Sequence, residues 1–118
     1  MQSPLTLLRT VAGGSLALMG FTVCIRWYLF WRTNFEGDLI THGPYARVRH
    51  PFYSGFLGFA VGSALFSPFF ETIMLAVFTV AGILYYIPRE EAYLLKQYGR
   101  EYKQYMREVP WRILPRVF

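Results

Sequence analysis

Three apolar runs, residues 11–25, 53–66 and 72–87, contain no Lys, Arg, Asp or Glu, and the charges of the chain lie ahead of, between and after them. A chain built this way has few places to go in water. Hydrophobic residues make up 54% of its 118 positions and charged ones 16%, against about 25% charged in soluble domains. At this length one domain, spanning 1–118, is expected, too small to hide so much apolar surface inside itself; a lipid bilayer solvates it instead. The runs are read as helices over 5–31, 53–66 and 72–87. At 1.5 Å per residue the last two reach roughly 21 to 24 Å, short of the roughly 30 Å hydrocarbon core. Ser67, Pro68, Phe69, Phe70 and Glu71 form a short turn between them. The expected fold is an all-α integral membrane protein with three transmembrane helices, one helix followed by a tight hairpin, and then a C-terminal amphipathic interfacial segment.

The charge pattern favours the same reading. Twelve Lys and Arg against seven Asp and Glu leave +5, but the basic residues flank apolar runs, which points to anionic lipid rather than nucleic acid. Arg26, Trp27, Tyr28 and Trp31 make an interfacial belt at the end of the first helix, with no small-x-small site after it, so a membrane anchor is expected there and not a cleaved signal. Arg32, Arg47 and Arg49 lie between the first two helices. Arg89, Lys96, Arg100, Lys103, Arg107, Arg112 and Arg116 follow the third, and the 67–71 turn has no basic residue. By the positive-inside rule the 32–52 loop and the tail share the cytoplasmic face, with the N-terminus external. A single cysteine, Cys24, and two distant histidines exclude a disulfide framework and a Cys/His metal spacing; no metal is expected.

Small residues suggest how the helices meet. Gly13, Ala17 and Gly20 share one face of the first helix, and Gly55, Gly58 and Gly62 one face of the second, the second set including a GxxxG pair that permits close backbone approach. In the tail, 90–106, Leu94, Tyr98, Tyr102 and Tyr105 form one helical stripe with basic residues around it, an interfacial pattern. Gly99 costs about 1 kcal/mol against Ala in a helix, so a break into two short helices is expected there.

The polar loop carries the densest set of chemically capable residues. Thr41, His42, Gly43, Pro44, Tyr45, Ala46, Arg47, Val48, Arg49, His50, Pro51, Phe52 and Tyr53 follow one another directly before a membrane helix. Pro51 suits the first helical position. His50 then sits beside a helix N-terminus, whose free N–H groups and dipole favour an anion such as a carboxylate. Glu90 and Glu91, at the far end of the third helix, offer acceptors for an ammonium or for hydroxyls. Taken alone, the loop reads equally as a turn with topology-setting arginines and the glutamates as solvated charges; the residues by themselves leave that choice open.

The order of the two blocks is more specific. Leu39, Ile40, Thr41, Gly43, Pro44, Tyr45, Arg49, His50, Pro51, Tyr53 and Gly55 precede an apolar hairpin, and Glu90, Glu91, Leu94, Tyr98, Gly99, Tyr102, Tyr105, Val109 and Pro110 follow it. Over residues 35–115 this closely resembles the isoprenylcysteine carboxyl methyltransferase family and the related membrane phospholipid N-methyltransferases. The resemblance implies that S-adenosylmethionine binds on the cytoplasmic side between the blocks, with Leu39 and Ile40 lining its pocket, Tyr45, His50, Pro51 and Tyr53 contacting it, and Glu90 holding it from the other side. It implies methyl transfer to a lipid-like or membrane-buried acceptor. The prenylcysteine enzymes carry an Arg where Tyr86 stands here, so Tyr86 and the nearby Arg89 are the candidate acceptor contacts. A single helix precedes the motif where the family usually has more, and a homodimer is the expected way to complete an acceptor tunnel. No catalytic base is assigned: transfer from a sulfonium asks mainly for alignment, and an amine acceptor alone would need Glu90, Glu91 or His50 to take a proton. The alternatives are a phospholipid N-methyltransferase, an NADPH-dependent protein of the sterol-reductase kind, which shares a His-Pro-x-Tyr block, and a non-catalytic membrane subunit.

Overall fold

A computed structural model describes residues 3–118. Four α-helices follow in order, α1 (Pro4–Asn34), α2 (Pro51–Phe66), α3 (Phe70–Tyr98) and α4 (Arg100–Glu108), with a 3-10 turn at Gly43–Ala46. Ser3 starts α1 by accepting a hydrogen bond from the Thr6 N–H at 3.1 Å, the N-cap device that satisfies a donor the helix leaves free. The described residues contain no strand, in keeping with an all-α fold. α1 and α3 are long and apolar enough to cross a membrane, whereas α2, at 16 residues, is shorter. Their flanks expose Leu18, Phe21, Phe78 and Leu84, a surface that lipid rather than water would cover.

Close packing in the bundle is between α1 and α2. A Cβ on Gly62 would lie 2.7 Å from the Gly13 carbonyl oxygen, and one on Gly55 would lie 2.9 Å from that of Gly20. The two small-residue faces therefore meet each other, and the backbones approach as only glycine permits. The hairpin of α2 and α3 has the expected short turn, in which the Thr72 hydroxyl caps the Phe69 N–H at 3.1 Å. Beyond it α2 lies along α1 and meets α3 over a smaller area.

Two expectations about the tail change. α3 does not stop at 87 but runs through Pro88 to Tyr98. Proline removes one backbone bond, yet Ile83, Ile87 and Glu91 remain buried on successive turns and hold the axis in place. The break falls at Gly99, where φ is +58°, a backbone conformation natural to glycine. The second change concerns the stripe of Leu94, Tyr98, Tyr102 and Tyr105. Its periodicity suits a membrane surface, but in the structure it packs inward, and Tyr102 and Tyr105 are 1% and 3% exposed. Its apolar rings find closer partners in Leu39, Tyr45 and Val109 than in lipid headgroups.

The last ten residues complete the end of the bundle that carries the motif loop. The chain after Val109 crosses the motif loop as a strap: the Arg49 N–H donates to the Trp111 carbonyl and the His50 N–H to that of Arg112, both at 2.9 Å. Ile113 plugs into Ile83 and Ile87, with Tyr53 and Leu57 against them.

Candidate functional site

The loop, the end of α3 and the strap converge on one carboxylate. Glu91 is 3% exposed. Its Oε2 meets the Arg49 Nη2 at 2.6 Å and its Oε1 lies 2.7 Å from the Arg112 Nε, the second an ion pair not aligned as a hydrogen bond. The Tyr102 hydroxyl donates to Oε2 at 3.4 Å, and the His50 Nε2 stands 3.7 Å from the same oxygen. Burial by itself would raise the Glu91 pKa, but His50, Arg49 and Arg112 together hold it below the ordinary carboxylate value. The other Arg49 nitrogen, Nη1, donates to the Val109 and Pro110 carbonyls at 3.3 Å each. One guanidinium thus ties the loop, α3 and the strap together.

Glu90, the neighbouring residue, faces a different partner. Its side chain is 45% exposed and its Oε2 lies 3.9 Å from the His50 Nδ1, while Oε1 accepts from the Tyr53 hydroxyl at 2.5 Å. The sequence spacing sets the two glutamates about 100° apart around the helix, and the structure uses that angle to bury one and leave the other accessible. His50 stands at the N-cap of α2 with no side-chain cap bond; its Nε2 and the Arg49 Nε are buried without a hydrogen-bond partner. Pro51 occupies the first turn of α2, as expected, and is buried.

Next to this cluster is a cavity of about 160 Å³ with an aromatic wall: Trp31, Phe35, Tyr45, Tyr98, Tyr102 and Tyr105, closed by Leu39, Ile40 and Leu94, with Asp38 and Arg49 as its charged members. Tyr45 is fixed by the Trp27 Nε1, which donates to its hydroxyl at 2.7 Å, while the Tyr105 hydroxyl donates to the Tyr45 carbonyl, also at 2.7 Å. Burial raises the Tyr45 pKa first of all, the Trp27 contact opposes this, and Glu90 adds to it. Burial likewise holds Tyr102 and Tyr105 well above the ordinary phenol value. The Tyr102 and Tyr105 hydroxyls stay neutral and donate.

The expected site residues therefore fall into three groups. Leu39, Ile40 and Tyr45 line the aromatic cavity. His50, Tyr53 and Glu90 form the polar cluster beside it, and Arg49 and Tyr102 belong to both through Glu91. Pro51 lines a separate cavity, Arg89 joins neither group, and Tyr86 stands near the Tyr53 phenol. Tyr86 is 54% exposed on α3, and the Arg89 guanidinium stacks on the Tyr85 ring at 4.2 Å, a cation–π contact. Sequence reading used Arg112 only to orient the chain, counted Arg49 in the motif without giving it a partner, and did not place Asp38, Trp31 and Phe35 at a cavity. It found the tyrosine stripe but turned it outward. The signal available was Tyr102 and Tyr105 sharing a face with Leu94, as a buried stripe does.

Among the described residues no group of His, Cys, Asp and Glu is arranged to hold a metal ion. Compared with known proteins, the chain matches the family model described as phospholipid methyltransferase over residues 7–101. It is 40% identical over 80 residues to the protein-S-isoprenylcysteine O-methyltransferase of Schizosaccharomyces pombe, covering 67% of this chain and 34% of that one. It is 42% identical over 74 residues to protein-S-isoprenylcysteine O-methyltransferase B of Arabidopsis thaliana, covering 61% and 37%. It is also 34% identical over 83 residues to the Delta(14)-sterol reductase of Methylotuvimicrobium alcaliphilum, covering 68% of this chain and 19% of the relative. The chain spans about a third of the length of the methyltransferase relatives it matches. No solved structure matches it.

Proposed function

The chain belongs to the phospholipid methyltransferase family, and from that premise we propose that it binds S-adenosylmethionine at the cytoplasmic membrane face and transfers the methyl group to a lipid-like acceptor. The observation that carries this reading is the aromatic cavity beside the His50–Tyr53–Glu90 cluster. A ring-lined space with an acid at its edge suits a sulfonium, which aromatic faces attract, and Asp38 suits an ammonium. At about 160 Å³ it is smaller than the roughly 300–1,000 Å³ of drug-sized sites. It would take the charged end of the donor, with Glu90 and Tyr53 holding the remainder. Arg49 and the α2 N-terminus favour its carboxylate.

The donor brings an already activated methyl group, so the chain's own residues have to position and exclude water rather than activate. Tyr45, fixed from two sides, and the buried Tyr102 and Tyr105 form a rigid wall, and pre-set geometry of this kind supplies most of the rate in a displacement. A carboxylate acceptor, as in an isoprenylcysteine, needs no base; an amine acceptor would pass its proton to the accessible Glu90. In this reading α1, α2 and α3 all span the bilayer, the motif loop and tail face the cytoplasm, and a second copy completes the acceptor path.

The similarity to a sterol reductase supports a second reading, with NADPH as the bound cofactor. Equilibrium binding of labelled S-adenosylmethionine and of NADPH to the purified chain separates the two. Saturable binding of the first alone is expected; binding of NADPH alone would overturn the proposal, and binding of neither would leave a non-catalytic subunit.

A further inference from the structure

On the α1–α2 side of the molecule two cavities run into one another. The larger, of about 840 Å³, opens at the cytoplasmic end between Trp27, Phe30, Pro44 and Pro51, and holds Arg26 and Arg47. The smaller, of about 330 Å³, continues along the helices past Leu16, Gly20, Gly58 and Val61. Met19, Val23 and Ser54 line both, so together they make one groove. The strap supplies part of its wall, Pro115 above and Leu114 below.

The groove has a polarity. Its charged members, Arg26 and Arg47, are confined to the cytoplasmic end, no acidic residue lines it, and among the described residues neither arginine is paired with a carboxylate. Below them the lining is aliphatic side chains, Met19 and glycine, with Ser54 the one hydroxyl. From Arg26 to Leu16 along α1 is about 15 Å at 1.5 Å per residue, half of a hydrocarbon core and so the depth of one leaflet. A cationic head site above a leaflet-deep apolar trough is complementary to an anionic amphiphile and favours it over a zwitterionic one.

We propose that this groove binds an anionic phospholipid of the cytoplasmic leaflet, its headgroup seated at Arg26 and Arg47 and one acyl chain lying along Met19, Val23 and Gly58. The assignment goes beyond methyl transfer and does not depend on it. It also gives the groove a bearing on the aromatic cavity. Trp27 lines the groove and donates to Tyr45, which lines the cavity, so a seated lipid presses on the partition between the two.

The test uses the full chain with Trp31→Phe and Trp111→Phe, which leaves Trp27 as the sole indole. It is reconstituted in phosphatidylcholine vesicles holding a minor fraction of either phosphatidylglycerol or phosphatidylcholine brominated on the acyl chain. Each interfacial arginine adds electrostatic attraction of about 1 kcal/mol, and two together predict a roughly thirtyfold preference for the anionic lipid in quenching of Trp27. Arg26→Gln with Arg47→Gln removes that preference. Arg32→Gln, a basic residue of the same membrane face outside the groove, leaves it intact. Ser54→Leu, which fills the stretch common to both cavities, lowers quenching by both lipids. Equal quenching by the two brominated lipids in the parent chain overturns the proposal. So does an equal loss of preference in Arg32→Gln, which would mark a diffuse surface attraction, and so does unchanged quenching in Ser54→Leu.

Discussion

Arg49 and Glu91 meet at 2.6 Å with their side chains 6% and 5% exposed, and this pair joins the polar loop to the end of α3. Replacing Glu91 by Gln would leave the Arg49 guanidinium buried without its counter-charge. Loss of one partner from a buried pair costs about 3–5 kcal/mol, and the partly exposed Arg112 favours the lower end. The expected result is a lower thermal unfolding midpoint in detergent micelles. An unchanged midpoint would show that the pair contributes nothing to the fold.

The same carboxylate makes stability depend on pH. Its folded pKa lies below the ordinary value of 4.5, so its contribution is present above that value and is lost as pH falls through the lower, folded one. The chain is therefore expected to keep its midpoint down to about pH 4.5 and to lose it below, while Glu91→Gln starts lower and shows a flatter acid limb. Thermal scans across that range check the sign.

Glu90→Gln tests the site rather than the fold. Glu90 is accessible and hydrogen-bonded to Tyr53, so the folded midpoint should hold. Binding of S-adenosylmethionine is expected to weaken by about 1–3 kcal/mol, the range for losing a charged hydrogen bond. Equilibrium binding alongside a melting curve distinguishes this from Glu91→Gln.

The glycines of the GxxxG pair are not equivalent. A Cβ at Gly58 meets its nearest atom at 3.5 Å, an ordinary contact, whereas one at Gly62 meets the Gly13 carbonyl oxygen at 2.7 Å. Gly58→Ala is expected to be neutral or slightly stabilising through helix propensity. Gly62→Ala should destabilise by about 1–3 kcal/mol, as overpacking does. Unfolding of both variants in one detergent gives the comparison.

Arg89 is stacked on Tyr85 and lines none of the cavities described. If the chain methylates a prenylated cysteine, the ratio of transfer to the free acid over transfer to its amide is expected to be the same in Arg89→Ala as in the parent. A fall in that ratio would return Arg89 to the acceptor site.

Much of this molecule can be read from residue order because the relevant physics is local. Uncharged runs require helices in lipid, Pro51 starts one and Gly99 ends another, and the small residues of α1 and α2 show which faces approach. The two motif blocks identify which residues gather at one end of the helices. What order alone does not carry is the direction in which an amphipathic stripe points. Leu94, Tyr98, Tyr102 and Tyr105 satisfy the same periodicity whether they lie on a bilayer or on Tyr45 and Val109; the choice between those partners is made by the position of the loop. The division of labour between Glu90 and Glu91 has the same origin. Adjacent residues on a helix must point different ways, but only the arrival of Arg49 from the loop and Arg112 from the strap makes one of them a buried hub and leaves the other open to a ligand. Those partners are distant in sequence, and their meeting is decided by how the helices pack.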